Sequence, residues 1–140
     1  MELSDYIKRQ ILEFAKSIEE LLTKVEKNKK SGQFEEAIQQ VDLGLLELLN
    51  RNIEELTNTP PESFLPGLLT ETGINSKNLE LMAKLFLETG RLFEHVNEKE
   101  TAKRLYTRSL HIYQYLLKSE MDFPYERHLK IKELKELLLQ

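Results

Sequence analysis

Residues 83–116 read AKLFLETGRLFEHVNEKETAKRLYTRSLHIYQYL, and this stretch decides the fold of the chain. Asn97, near its middle, tolerates the left-handed backbone conformation that can separate two helices. The small residues Gly90, Ala102 and Ser109 lie on either side of that turn, where they allow two helices to approach closely. We therefore predict a closely packed antiparallel helix hairpin in this part of the chain.

Part of this pattern also occurs earlier in the chain. In each occurrence of the pattern, a small residue, a bulky residue and a second small residue share one helical face. A residue that tolerates the left-handed conformation of a turn precedes them. The turning residues are Gly32 and Asn97. The two sets are Ala37, Val41, Gly44 and Ala102, Tyr106, Ser109. Such self-similarity predicts related helix hairpins.

Residues 83–116 resemble one complete tetratricopeptide repeat, and GQFEEAI at residues 32–38 resembles the turn and second-helix start of another. Thr89 and Gln114 depart from the family's usual leucine and proline. The resemblance implies a right-handed bundle of antiparallel hairpins whose first helices line a concave groove. The opening DYIKRQI, residues 5–11, is similar to a small uncharacterised bacterial family of helical proteins. The packing positions of the repeat are matched by Phe86, Gly90, Phe93, Ala102, Tyr106 and Ser109.

The apolar periodicity and the helix breakers predict a single all-α domain of about five to six helices over residues 1–140. The apolar run at 41–49 predicts that the second helix lies at the centre of the bundle. The parts are a helix hairpin at 5–56, a proline-rich connection at 57–76, a tetratricopeptide-like hairpin at 77–118 and a C-terminal capping helix at 124–139. The two hairpins are expected to contain helices at 5–30, 34–56, 77–95 and 98–118.

Several residues have the side chains or backbone freedom that helix ends require. Ser4 is a predicted N-cap. Thr59 is predicted to cap a short helix whose first residue is Pro60. The remaining predicted end residues are Gly73, Asn75 or Ser76, and Asp122.

The bulk composition excludes several classes of function. A net charge of −4 without a basic face argues against nucleic-acid binding, and Lys27, Lys29 and Lys30 are interpreted as favourable charges in a last helical turn. The chain has no cysteine, which excludes disulfides, thiolate metal sites and cysteine nucleophiles. No apolar run suits a membrane span and the N-terminal residues are charged, so we expect a cytoplasmic protein without membrane contact.

Catalytic and cofactor sites are not predicted. His95, His111 and His128 fall in different predicted helices and lack the spacing of a metal site. No phosphate-binding or nucleophile motif occurs. We therefore predict a non-enzymatic protein with no metal and no cofactor.

The resemblance implies a peptide-binding surface on the first helix of the second hairpin. The matching groove positions are Lys84, Leu87, Glu88, Arg91 and His95. Leu87 stands where carboxylate-binding members of the family use Asn, which disfavours that particular ligand. A solvated helix face is the alternative interpretation of these residues. The predicted function is a protein–protein interaction module or scaffold that binds a protein or peptide.

Two other functions agree with the sequence. The apolar density of residues 41–49 is compatible with a small apolar ligand bound inside the bundle. A homodimer would instead cover apolar surface on the last helix or on the proline-rich segment, which otherwise covers the core. These candidate surfaces are Leu134, Leu137, Leu138, Leu139 and Phe64, Leu65, Leu68, Leu69.

Overall fold

The computed structural model describes residues 2–70, 74–119 and 124–140, with side chains from residue 5 onward. These parts of the chain are helical and contain no β-strand, which confirms the predicted all-α class. α1 pairs with α2 and α5 pairs with α6, while α5 also packs on α1 and α2, and α7 packs on α6. The helices are α1 (Glu2–Lys30), α2 (Phe34–Leu49), α3 (Ile53–Asn58), α4 (Pro61–Leu69), α5 (Ser76–His95), α6 (Lys99–Ser119) and α7 (Tyr125–Leu138).

The two hairpin turns have the same backbone geometry. Gly32 and Asn97 both adopt the left-handed conformation, with φ of 76° and 64°. In each turn the following backbone N–H donates to a carbonyl in the last turn of the preceding helix, which is the bond pattern that ends a helix at a left-handed residue. The predicted turns at Gly32 and Asn97 are confirmed. The donor and acceptor pairs are Gln33 with Asn28 and Glu98 with Phe93, each at 2.8 Å.

The small residues of the second hairpin lie at the contact between α5 and α6. A Cβ atom at Gly90 would lie 2.7 Å from Cδ1 of Tyr106, a distance that real Cβ atoms do not reach. The Ser109 hydroxyl donates a hydrogen bond of 2.7 Å to the carbonyl of Ala83 across the same contact. Larger side chains at Gly90 or Ser109 would therefore push the two helices apart.

The second helix is shorter than predicted. α2 ends at Leu49 because Asn50 adopts the left-handed conformation, with φ of 59°. α3 then begins with a capping box, in which the Asn52 side chain accepts a hydrogen bond from Glu55 N–H and the Glu55 carboxylate accepts one from Asn52 N–H. The predicted helix at 34–56 is therefore two helices, α2 and α3, separated by this turn.

The centre of the bundle is α5 and not α2. Eleven residues of α5 are buried, against four of α2. Leu43 and Leu46 of α2 are 61% and 43% exposed. The prediction that residues 41–49 form the centre is wrong, because their leucines surround the helix while only one face of α2 meets the rest of the domain.

The other predicted helix ends have mixed outcomes. Ser4 lies inside α1, so its predicted role as an N-cap is wrong. Asn75 caps α5 as predicted, since its side-chain oxygen accepts a hydrogen bond of 2.9 Å from Asn78 N–H. The ends predicted at Gly73 and Asp122 lie outside the described residues.

The proline-rich connection folds over the core as a cover. α4 has Pro60 as its N-cap and Pro61 as its first residue, so the cap predicted at Thr59 is wrong by one position. Phe64 and Leu68 are fully buried. Of the four apolar residues predicted to cover the core or to present a patch, these two cover it, while Leu65 is partly buried and Leu69 is 41% exposed.

Arg108 of α6 fastens this cover to the second hairpin. The side chain is buried, and its Nη2 donates hydrogen bonds to the carbonyls of Thr57 at 3.0 Å and Thr59 at 2.6 Å. Its guanidinium also lies 5.3 Å from the centre of the Phe64 ring, in a cation–π contact. Burial, and then repulsion from Arg104, lowers the pKa of Arg108.

Two ion pairs hold α7 against α5. Arg91 of α5 pairs with Glu133 of α7. Arg127 of α7 pairs with Glu80 of α5, with Nε and Oε2 3.1 Å apart. Because the pairs lie at different levels along α5, they fix the direction of α7 as well as its position.

The predicted apolar edge of the last helix is covered mainly by the domain itself. Leu134 is fully buried, and Leu137 and Leu138 are partly buried against the core. Leu139 is 86% exposed. One exposed leucine at a helix end is ordinary for a protein surface, so this edge gives no argument for a homodimer.

Replacing Gly67 with alanine should stabilise the protein. Gly67 lies inside α4, and an added Cβ would meet the Arg51 guanidinium at an ordinary distance of 3.5 Å. Alanine is favoured over glycine in a helix by about 0.5–1 kcal/mol. We expect a gain of that size in the free energy of unfolding by urea denaturation. A loss would contradict the helical conformation of α4 at this residue.

Candidate functional site

A groove of about 730 Å³ lies between α1, α5 and α7. Its apolar floor consists of Leu22 and Val25 of α1 and Leu87 of α5. Its polar lining comes from all three helices. These polar residues are Thr23, Glu26, Lys29, Lys30, Lys84, Glu88 and Lys130, and we call the site the lysine-lined groove.

The lysine-lined groove is locally positive on a negative protein. Four Lys against two Glu give its lining a formal charge of +2, whereas the whole chain has −4. Lys29 Nζ lies 3.5 Å from a carboxylate oxygen of Glu88, across the groove on α5. Lys30 Nζ lies 3.9 Å from Glu26 of its own helix. Lys84 is exposed, and no carboxylate of the described residues forms an ion pair with it.

The structure brings three of the five predicted groove residues together. Lys84, Leu87 and Glu88 all line the lysine-lined groove. Leu87 is buried at its floor, while Lys84 and Glu88 lie at its rim. The combination allows the groove to hold an apolar group and a negative charge together.

The other two predicted residues lie in contacts between helices. Arg91 donates a hydrogen bond to Glu133 and so holds α7. His95, near the end of α5, stacks on Phe34 of α2, with ring centroids 4.3 Å apart and 3° between the ring planes. Neither side chain is part of the groove lining.

The Arg91–Glu133 pair lies behind the groove lining, next to Lys130, and its environment favours the charged form of both side chains. Burial alone would raise the pKa of Glu133, but the hydrogen bond from Arg91 and the charge of Lys130 outweigh it and lower that pKa. Burial acts to lower the pKa of Arg91, and the Glu133 carboxylate outweighs it and raises that pKa. The pair is therefore ionised at neutral pH. Lys130 Nζ, 3.5 Å from Glu133, connects this pair to the groove.

The lysines that α1 and α7 contribute were missed in the sequence. Lys29 and Lys30 do lie in the last turn of α1, where positive charge is favourable, as the sequence indicates. They also face the groove, which no local pattern could show because it depends on how α1 packs against α5. The one indication in the sequence was that Lys29 and Lys30 form a cluster of positive charge with Lys27. Nothing in the sequence distinguishes Lys130, because α7 contains acidic and basic residues throughout.

The described residues lack the features of a metal site and of a membrane span. Over 2–70, 74–119 and 124–140, no group of three or more His, Cys, Asp or Glu side chains is arranged to hold a metal ion. Nor do those residues include a helix with the length and apolar character needed to cross a membrane. His111, beside α4, has its pKa lowered by burial and then by the charge of Arg108.

Comparison of the chain with protein-family models, with curated proteins and with solved structures gives no match in any of the three. The class of the protein is therefore defined by its own features. It is an all-helical domain with an amphipathic, lysine-lined groove between its first, fifth and seventh helices.

Proposed function

We propose that the chain is a non-enzymatic protein-interaction module of tetratricopeptide-like type, with α1–α2 and α5–α6 as its hairpins and α7 as its cap. Three features support this arrangement. The two hairpin turns share one backbone geometry, small residues occupy equivalent positions in α2 and α6, and α1, α5 and α7 border one groove. In such an arrangement this groove is the concave surface lined by the first helices.

The lysine-lined groove is the observation that carries the proposal. Its occupant is a peptide segment of a partner protein with both carboxylate and apolar side chains, because both kinds of surface are present in the lining. The apolar side chains cover Leu22, Val25 and Leu87. The carboxylates face Lys84, which has no ion pair within the described residues, and Lys130. A neutral apolar ligand would desolvate these lysines without compensation.

A fluorescein-labelled peptide of glutamate and leucine should bind the full chain, and its glutamine counterpart should bind far more weakly. Fluorescence anisotropy measures both affinities. Binding of the acidic peptide should weaken roughly tenfold between about 0.05 and 0.5 M salt, because salt screens ion pairs at an open site. Equal affinity for the two peptides would refute the proposed role of charge.

Lys84→Glu is the informative substitution, because the fold makes no use of the Lys84 charge. It should weaken binding of the acidic peptide roughly tenfold, while Lys103→Glu, the same change on the exposed face of α6, should leave affinity within about twofold. Glu88→Gln should strengthen binding about threefold, since it releases Lys29 from its ion pair. Equal losses in Lys84→Glu and Lys103→Glu would assign binding to net charge and overturn the groove as the site.

A further inference from the structure

A second groove, of about 360 Å³, lies between α1 and α2. Helical spacing puts it on the opposite side of α1 from the lysine-lined groove. Leu21 of α1 and Leu43, Gly44 and Leu48 of α2 form its apolar lining. Its polar lining is Ser17, Glu20, Lys24, Gln40 and Glu47, which has a formal charge of −1 from two Glu against one Lys. Gly44 allows Leu21 to pack directly on the α2 backbone at the base of the groove, since a Cβ there would lie 2.7 Å from Cδ2 of Leu21. We call this site the α1–α2 groove.

The α1–α2 groove continues onto an exposed apolar strip. Leu43 and Leu46, one turn apart on α2, are 61% and 43% exposed. A single exposed leucine is common on protein surfaces, but two adjacent ones beside a groove that Leu21 and Leu48 also line form a surface that a partner can cover. No other helix of the described residues lies over this strip.

Negative charge is concentrated in the segment that carries the strip. Residues 34–58 contain six Asp and Glu and one base, Arg51, so this segment has a formal charge of −5 when the whole chain has −4. Glu36 and Glu47 are exposed on the same face of α2 as Leu43, by the three- and four-residue spacing of a helix. Neither forms an ion pair with a described residue.

We infer that the α1–α2 groove docks a basic amphipathic helix of a partner protein. Apolar side chains of that helix pack on Leu43 and Leu46, and Lys or Arg side chains along one flank of it meet Glu36 and Glu47. Charge complementarity selects this occupant. A second copy of the chain paired through α2 would instead bring two surfaces of the same sign together, which is unfavourable.

The inference is independent of the lysine-lined groove, because the two sites use different faces of α1 and opposite charges. Together they would allow the chain to hold an acidic segment of one partner and a basic helix of another at the same time. Failure of one site in an experiment leaves the other untouched.

The test uses the full chain and a fluorescein-labelled peptide of about five helical turns, with leucines on one face and lysines on both flanks. A scrambled peptide of the same composition, which cannot segregate the two residue types on a helix, is the comparison. Anisotropy should show binding of the amphipathic peptide roughly tenfold tighter than the scrambled one. Amide shifts in ¹⁵N spectra should appear at residues 17–24 and 36–47 and not around Lys84.

Two double variants and a matched control complete the test. Glu36→Lys/Glu47→Lys should weaken binding of the amphipathic peptide roughly tenfold, and Leu43→Ser/Leu46→Ser about fivefold. All four positions are exposed, so circular dichroism should show an unchanged fold. The control, which makes the same charge change on α6 and α7, is Glu100→Lys/Glu136→Lys.

Three outcomes would overturn the inference. The first is equal affinity for the scrambled peptide, and the second is an equal loss of affinity in the control, since both assign binding to net charge. The third is a dimer in sedimentation velocity that Leu43→Ser/Leu46→Ser abolishes, because the occupant would then be a second copy.

Discussion

Gly90→Ala should lower the free energy of unfolding by about 2 kcal/mol, although alanine is the better helix former. The new methyl group would lie 2.7 Å from Cδ1 of Tyr106, whose side chain is fully buried, so the ring cannot swing out into solvent. Overpacking of this severity costs about 3 kcal/mol, and the helix preference for alanine returns about 1 kcal/mol. Urea denaturation measures the difference, and the melting temperature should fall by about 6–8 °C.

Gly44→Ala is the matched control for this prediction. Its Cβ would also lie 2.7 Å from another atom, but that atom is Cδ2 of Leu21, the far end of a flexible side chain. Rotation of the leucine relieves the contact, so the free energy of unfolding should change by less than about 1 kcal/mol. Gly90→Ala should cost much less in a Tyr106→Leu background, because the ring is gone. Equal costs in both backgrounds would contradict the assignment of strain to Tyr106.

Arg108→Met should also destabilise the protein by about 2 kcal/mol. Methionine fills much of the same space, but it leaves the carbonyls of Thr57 and Thr59 without their hydrogen-bond donor. Each carbonyl left without a donor costs about 1–3 kcal/mol. Part of this cost is offset, because the folded protein no longer has to bury a charged guanidinium away from water. The cation–π contact with Phe64 is lost as well.

The effect of Arg108→Met should be local as well as global. Because Arg108 fastens the α3–α4 cover, amide hydrogen exchange in residues 53–69 should accelerate more than exchange in α5. Arg104→Met, one turn earlier on α6, removes an exposed hydrogen bond of 3.0 Å to Asn58 and should change stability by less than about 0.5 kcal/mol. A uniform acceleration across the chain would show that Arg108 has no special role in holding the cover.

The second hairpin could be predicted from sequence to within about one residue, because its signals are local. Asn75 supplies a side-chain cap and Asn97 a left-handed turn, and both act on their immediate neighbours. The division of the first hairpin was missed for the opposite reason. The apolar period continues past Asn50, although the Asn52 and Glu55 spacing of a capping box was visible in the sequence.

The candidate site was predictable only where one helix determines it. Lys84, Leu87 and Glu88 follow the period of α5 and point to one side of it. Arg91 follows the same period, yet its side chain donates a hydrogen bond to Glu133, which is far away in the sequence. Whether a residue faces a ligand or a neighbouring helix depends on the position of that neighbour, and helical period alone does not contain this information.

The position of α7 beside the lysine-lined groove has a consequence for the stability of the C-terminal helix when the groove is occupied. Lys130 is the contribution of α7 to the lysine-lined groove, while Lys29 and Lys30 come from the opposite end of the chain. A bound segment that contacts all three therefore acts as a strap between the first and last helices. Local unfolding of α7 would remove the contacts of the bound segment with Lys130. An occupied groove should therefore slow the local unfolding of the C-terminal helix.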